Sequence, residues 1–198
     1  MEFVQDALFL LVCAGFSLNL ILHFGLGIRE TAESLEQSLP APVFQTGVLA
    51  GSVFILWGIC SYLLPILSFG FLEYFLLYPM SALLCLALEA GAIKFAPGLV
   101  PRSKIFPALS GYNGLVPSGL WLTLHLAGTP LEALILSAGF GGGVLFALVL
   151  LEYIRKRSAL ESVPRNLRGR PLLLITMGLL SLVTASLTVV FFRIVGIF

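Results

Sequence analysis

Ser110-Gly111-Tyr112-Asn113-Gly114-Leu115-Val116-Pro117-Ser118-Gly119 breaks an otherwise apolar run from Ile105 to Ala127. Three glycines, a proline and an asparagine stand in these ten residues. A continuous helix through them would lose about 1 kcal/mol for each glycine and about 3 for the proline, so an interrupted helix is the expectation. The surroundings decide where such a break sits. Of 198 residues, 59% are apolar and 11% charged, and the mean hydropathy is +1.05. A soluble domain carries roughly 25% Asp, Glu, Lys and Arg to clothe its surface, so this chain reads as an all-α integral membrane protein forming a single membrane domain. Broken backbone at membrane depth persists only when buried in protein or lining a polar cavity. A functional midplane site and a simple packing kink both remain open for this stretch.

Outward from that segment, apolar runs bounded by charge, Pro and Gly predict crossings near 7–27, 43–64, 69–93, 105–127, 131–154 and 171–192. The first segment opens Met1-Glu2-Phe3-Val4-Gln5-Asp6. It lacks the basic start of a cleavable signal, so it is expected to stay as a permanent helix. Ten of the eleven basic residues fall in three connections: Arg29; Lys94, Arg102 and Lys104; and Arg155, Lys156, Arg157, Arg165, Arg168 and Arg170. By the positive-inside rule these loops are cytoplasmic and both termini lie outside, with Arg193 alone dissenting. The connections around Pro65 to Gly70 and at Gly128-Thr129-Pro130 hold no Lys or Arg and should face outward.

Three crossings per half turn the second half upside down, so residues 1–95 and 100–198 are expected to form an inverted repeat. The first helix of each half carries a mid-span asparagine followed by glycines, Asn19 with Gly25 and Gly27, and Asn113 with Gly114 and Gly119. Paired interruptions of this kind point to a midplane site.

Few residues offer other chemistry. Glu89 lies late in the third span with Lys94 five positions on. It reads either as an ion- or proton-handling carboxylate or as an interfacial acid that snorkels toward a lysine. Glu73, Glu132 and Glu152 lie near span ends and read as solvated. Cys13, Cys60 and Cys85 all sit in apolar stretches as small packing residues. His23 and His125 are too few for a metal set. Ala138-Gly139-Phe140-Gly141-Gly142-Gly143 lacks the Lys-Ser/Thr of a phosphate loop, and Gly139 and Gly143 have the small-xxx-small spacing of close helix packing. No catalytic triad, HExxH or CxxC arrangement occurs, and a net charge of +1 gives no surface for nucleic acid.

Several segments carry a resemblance through their order and spacing: Asn19 to Gly27, Glu89 to Pro97, Lys104-Ile105-Phe106-Pro107-Ala108-Leu109, Ile154-Arg155-Lys156-Arg157, and Val163-Pro164-Arg165-Asn166-Leu167-Arg168-Gly169 leading into Leu174-Ile175-Thr176-Met177-Gly178-Leu179-Leu180-Ser181-Leu182. Over most of its length the chain resembles the RnfA/NqrE type of membrane subunit from the Rnf and Nqr respiratory complexes. The resemblance implies six helices in two inverted halves in a bacterial or archaeal cytoplasmic membrane. It also implies a homologous sister subunit of opposite orientation, each of the two giving two cysteines to a [2Fe-2S] cluster between them. The complex would couple NADH, ferredoxin or quinone chemistry to Na⁺ or H⁺ movement, with flavin or iron-sulfur groups in partner subunits. Here the chain departs from the pattern of that family. The cysteine expected after Asn113 is Gly114, and the first-helix cysteine falls at Arg29. Neither can ligate iron, so a subunit without its own cluster ligands is expected. The resemblance makes Glu89 a candidate for cation entry, beside Asn19, Asn113, Gly111 and Gly114 at the interruptions. The alternatives are a subunit of a six-helix vitamin-type transporter, or a structural or assembly subunit.

Overall fold

Pro130–Leu160 is the longest helix among the described residues, and the residues before it explain its start. Thr129 Oγ1 accepts the Glu132 N–H at 3.3 Å, and Glu132 Oε2 reaches back to accept the Gly128 N–H at 2.8 Å. This is a capping box with Pro130 at the first helical position, where a missing N–H costs nothing. Glu132, expected to be merely solvated, is therefore a capping residue. At about 1.5 Å per residue the helix is about 46 Å long, more than the roughly 30 Å of a hydrocarbon core. It continues past the predicted boundary at 154 as a charged tail, where Lys156 pairs with Glu152 one turn back at 2.7 Å.

The computed structural model describes residues 2–22, 40–67, 72–95, 114–160 and 170–195. These form α1 (Glu2–Val12), a π-helical turn (Cys13–Ser17), α2 (Pro40–Leu67), α3 (Leu72–Phe95), α4 (Leu115–Leu126), α5 (Pro130–Leu160) and α6 (Arg170–Val195). The described residues contain no strand. A helix overlaps each of the six apolar runs. Among the described residues one of them, over Pro130–Arg157, is long and apolar enough to cross a membrane. Shorter apolar stretches are Ala7–Ser17 of α1 and the π turn, Thr46–Tyr62 of α2, Leu115–Leu126 of α4 and Leu174–Val190 of α6. The helix expected to end near 64 runs on to Leu67, through Pro65.

α5 is the hub, packing against α1, the π turn, α2, α4 and α6. Its buried face, Ala133, Leu136, Phe140, Val144, Ala147 and Leu151, repeats every three to four residues and meets Leu49, Val53 and Leu56 of α2 and Leu120 of α4. Leu20 and Ile21, just past the π turn, complete this core. α6 contributes little, burying Met177 and Thr184 while Leu182 and Val189 stand 67% and 66% exposed. Large apolar side chains so placed suit a lipid surround and mark an outward face. Lipid tails are as apolar as leucine, so burial alone does not hold such helices together; close backbone approach and hydrogen bonds do.

Candidate functional site

The first helix stops being α-helical at Cys13. From there to Ser17 it takes the wider π pitch, and the Leu18 N–H donates to Cys13 O at 2.9 Å, five residues back. Leu18 then leaves helical geometry at φ −107° and ψ 31°. Single π turns of this kind recur at functional positions.

Asn19 follows, 1% exposed. Its Nδ2 donates to Gly15 O at 2.9 Å and, 124 residues away in sequence, to Gly143 O at 2.8 Å. Its Oδ1 accepts the N–H groups of Ile21 and Leu22, each at 3.1 Å. One amide side chain has two donors and two acceptor sites, and all four are engaged. The bonds to the second and third residues after Asn19 have the pattern of a cap or an Asx turn, and the chain continues as turns to Leu22. An unsatisfied amide here would cost about 1–3 kcal/mol, which makes the full complement a structural requirement.

Glycine lets the two backbones of this contact meet. A Cβ on Gly143 would lie 2.5 Å from Gly15 O and 2.9 Å from Gly15 Cα. One on Gly139 would lie 2.7 Å from Ala14 Cβ and 3.0 Å from Leu11 O. The spacing of Gly139 and Gly143 predicts a packing face, and its partner is the end of α1 together with the π turn. Gly15, the receiving residue, carries no spacing signal that could have marked it. On another side of α5, Gly141 admits α2: its Cβ would stand 3.0 Å from Thr46 O and from Ala50 Cβ.

The stretch from Ser110 to Gly119 is described from Gly114 onward. Gly114 holds a left-handed backbone, φ 72°, as the residue before α4, and its carbonyl accepts the Ser118 N–H at 3.1 Å. Glycine adopts this conformation without the steric cost that a Cβ brings. Because α4 starts at Leu115, Pro117 falls in the first turn, where its absent N–H has no intrahelical carbonyl to lose. The chain just beyond Asn19 and the start of α4 meet at Gly119, whose Cβ would stand 3.5 Å from Leu20 Cδ1, 3.2 Å from Val53 Cγ2 and 4.0 Å from Phe140 Cδ2. Helices α2, α4, α5 and the chain just beyond Asn19 converge on this one missing side chain.

Asn113, Gly111 and Arg29 lie outside the described residues, as do His23, Gly25 and Gly27. Glu89 stands within α3, with its side chain outside what is described. His125 stacks on Trp121 with ring centres 4.5 Å apart, and its Nδ1 lies 2.9 Å from the Trp121 carbonyl, a contact within one helix turn. The buried hydroxyls of Ser52, Thr123 and Ser137 each donate to a carbonyl three or four residues back, which satisfies them without a cross-helix network. Among the described residues no three His, Cys, Asp or Glu side chains gather as a metal set. What the arrangement does is end the first helix at a defined point and tie that end to a neighbour.

No family model matches the chain. The RnfA-type subunit of the ion-translocating oxidoreductase complex of Pectobacterium atrosepticum is 30% identical over 176 residues, 86% of this chain and 90% of that protein. Its counterpart in the ion-translocating oxidoreductase complex of Edwardsiella ictaluri is 29% identical over 184 residues, 90% of this chain and 94% of that protein. The NqrE-type subunit of the Na⁺-translocating NADH-quinone reductase of Chlamydia pneumoniae is 29% identical over 121 residues, and the chain spans about half of that curated relative's length, 47%. Similarity carried through nine-tenths of RnfA-type proteins, over a chain that is helical throughout most of its described residues, makes this protein a member of the RnfA/NqrE family of membrane subunits.

Proposed function

We propose that the chain is an integral subunit of an Rnf/Nqr-like ion-translocating electron-transport complex in a bacterial or archaeal cytoplasmic membrane. It crosses six times, as two inverted three-helix halves with interrupted first and fourth helices, and has both termini outside. It pairs with a homologous sister subunit of opposite orientation and with flavin- or iron-sulfur-bearing subunits. The observation that carries this reading is the Asn19 cross-link at the end of the first helix, in a chain related to RnfA-type proteins along most of its length. A helix interrupted at membrane depth turns the ends of its half-helices, with their partial charges, toward a passing Na⁺ or H⁺.

The residues present do not fit the family's cluster. Gly114 has no side chain and keeps a left-handed backbone, and Arg29 offers a guanidinium where iron takes thiolates. Of the other cysteines described, Cys60 is buried in α2 and Cys13 belongs to the π turn. The chain is therefore a subunit without its own [2Fe-2S] ligands, serving the ion path and the assembly. Glu89 is the acid at the cytoplasmic mouth of that path.

The test is affinity purification of the tagged chain from its native membranes in mild detergent, with identification of what accompanies it. Stoichiometric recovery with flavin- or iron-sulfur-bearing proteins is expected. Recovery alone, or with an ATP-driven module, would overturn the reading in favour of small-molecule transport. In the same complex Glu89→Gln should impair ion-coupled turnover while the amount of assembled complex stays unchanged. Normal coupling in that variant returns Glu89 to an interfacial acid.

A further inference from the structure

The bonds from Asn19 Oδ1 to Ile21 and Leu22 are capping bonds, and Ser, Thr or Asp would make them as well. The two Nδ2 bonds are different. Only an amide among the favoured caps adds two N–H donors, and one of these crosses to Gly143 O on α5. The identity of the residue is thus explained by the cross-link and not by the cap. The π turn sets its aim. If Cys13–Ser17 relaxed to α pitch, every residue after it would rotate by about 100°, one residue's worth of helix, and Asn19 would swing away from α5. The backbones at Gly15 and Gly143 touch so closely that displacement of one must move the other.

We propose that Asn19 is a positioning residue that couples the break in the first helix to α5, so that the geometry of the ion path is set across the Gly15–Gly143 crossing. The inference rests on the function proposed above. The π state, with Asn19 bonded to Gly143, and the α state, with that bond released, are the two arrangements that such coupling needs.

Two variants separate the cross-link from the cap. Asn19→Ser keeps an acceptor for Ile21 and Leu22 and removes the donor to Gly143. Gly143→Ala leaves Asn19 intact and drives a methyl group into Gly15. The assembled complex carrying each variant is reconstituted in liposomes and driven with NADH or reduced ferredoxin, and uptake of ²²Na⁺ and of protons is measured per electron transferred. Each variant should lower ion movement per electron by roughly five-fold or more, the lower end of coupling between sites. Electron transfer itself should persist, and the double variant should be no worse than either single one, because both break one joint. Undiminished coupling in either variant that assembles, or additive losses in the double variant, overturns the inference. Failure of both variants to accumulate overturns it too, since the contact would then serve folding alone. A native complex that moves no ion defeats the proposed function itself, whereas a coupled native complex with equally coupled variants defeats only the role of Asn19.

Discussion

Gly142 and Gly143 are neighbours in one helix with opposite surroundings. Nothing lies within 4 Å of a Cβ built on Gly142, while one on Gly143 meets the Gly15 backbone at 2.5 Å. Gly143→Ala should therefore cost about 3 kcal/mol, the upper end of overpacking, because a backbone cannot turn aside as a side chain can. Gly142→Ala should be neutral or gain up to about 1 kcal/mol through helix propensity. Thermal unfolding of the two variants in detergent checks this, and equal midpoints would show that the crossing is not in place. The spacing of Gly139 and Gly143 was enough to mark a face that accepts another backbone. It could not say which backbone, because Gly15 stands alone in an apolar run and a single glycine looks the same whether or not it is approached. Asn19 was legible as an oddity, a buried amide in an apolar helix, but its partner lies 124 residues away and nothing local encodes that distance.

At the scale of elements, the start of α5 carries a side-chain signal that the reading of Glu132 as solvated misses. Thr129-Pro130-Leu131-Glu132 is a capping box in plain sequence, and the structure closes it through both Thr129 and Glu132. Thr129→Ala should cost about 1 kcal/mol and free the first turn of α5, seen as faster hydrogen exchange at the Glu132 amide. Unchanged exchange there would mean that the box does not hold the helix start. The overrun of α5 beyond residue 154 has a simple cause: Arg155, Lys156 and Arg157 are good helix formers, and a helix that leaves the bilayer need not end there. The π turn was not legible at all. Cys13-Ala14-Gly15-Phe16-Ser17 would sit comfortably in α geometry, and the wider pitch follows from the contact with α5, a tertiary preference over a local one.

For the whole molecule, composition alone separated a membrane protein from a soluble one, and the apolar outer faces of α2 and α6 agree with it. Ile55 and Ile59 of α2 and Leu179, Leu182 and Leu187 of α6 face away from the core. The order of helices followed from apolar runs, but their arrangement did not, since every run is apolar on all sides and no periodic stripe points to a centre. Only the glycines, small enough to permit contact, reveal that α5 stands in the middle. That central place has a consequence in time. Asn19 emerges from the ribosome 124 residues before the carbonyl that will receive its amide. At roughly 5–20 residues per second, the first helix waits on the order of 6 to 25 s in the growing chain before α5 arrives. During that interval one donor of Asn19 must be lent to water or to a neighbouring protein, and birth order makes this joint of the bundle a late one.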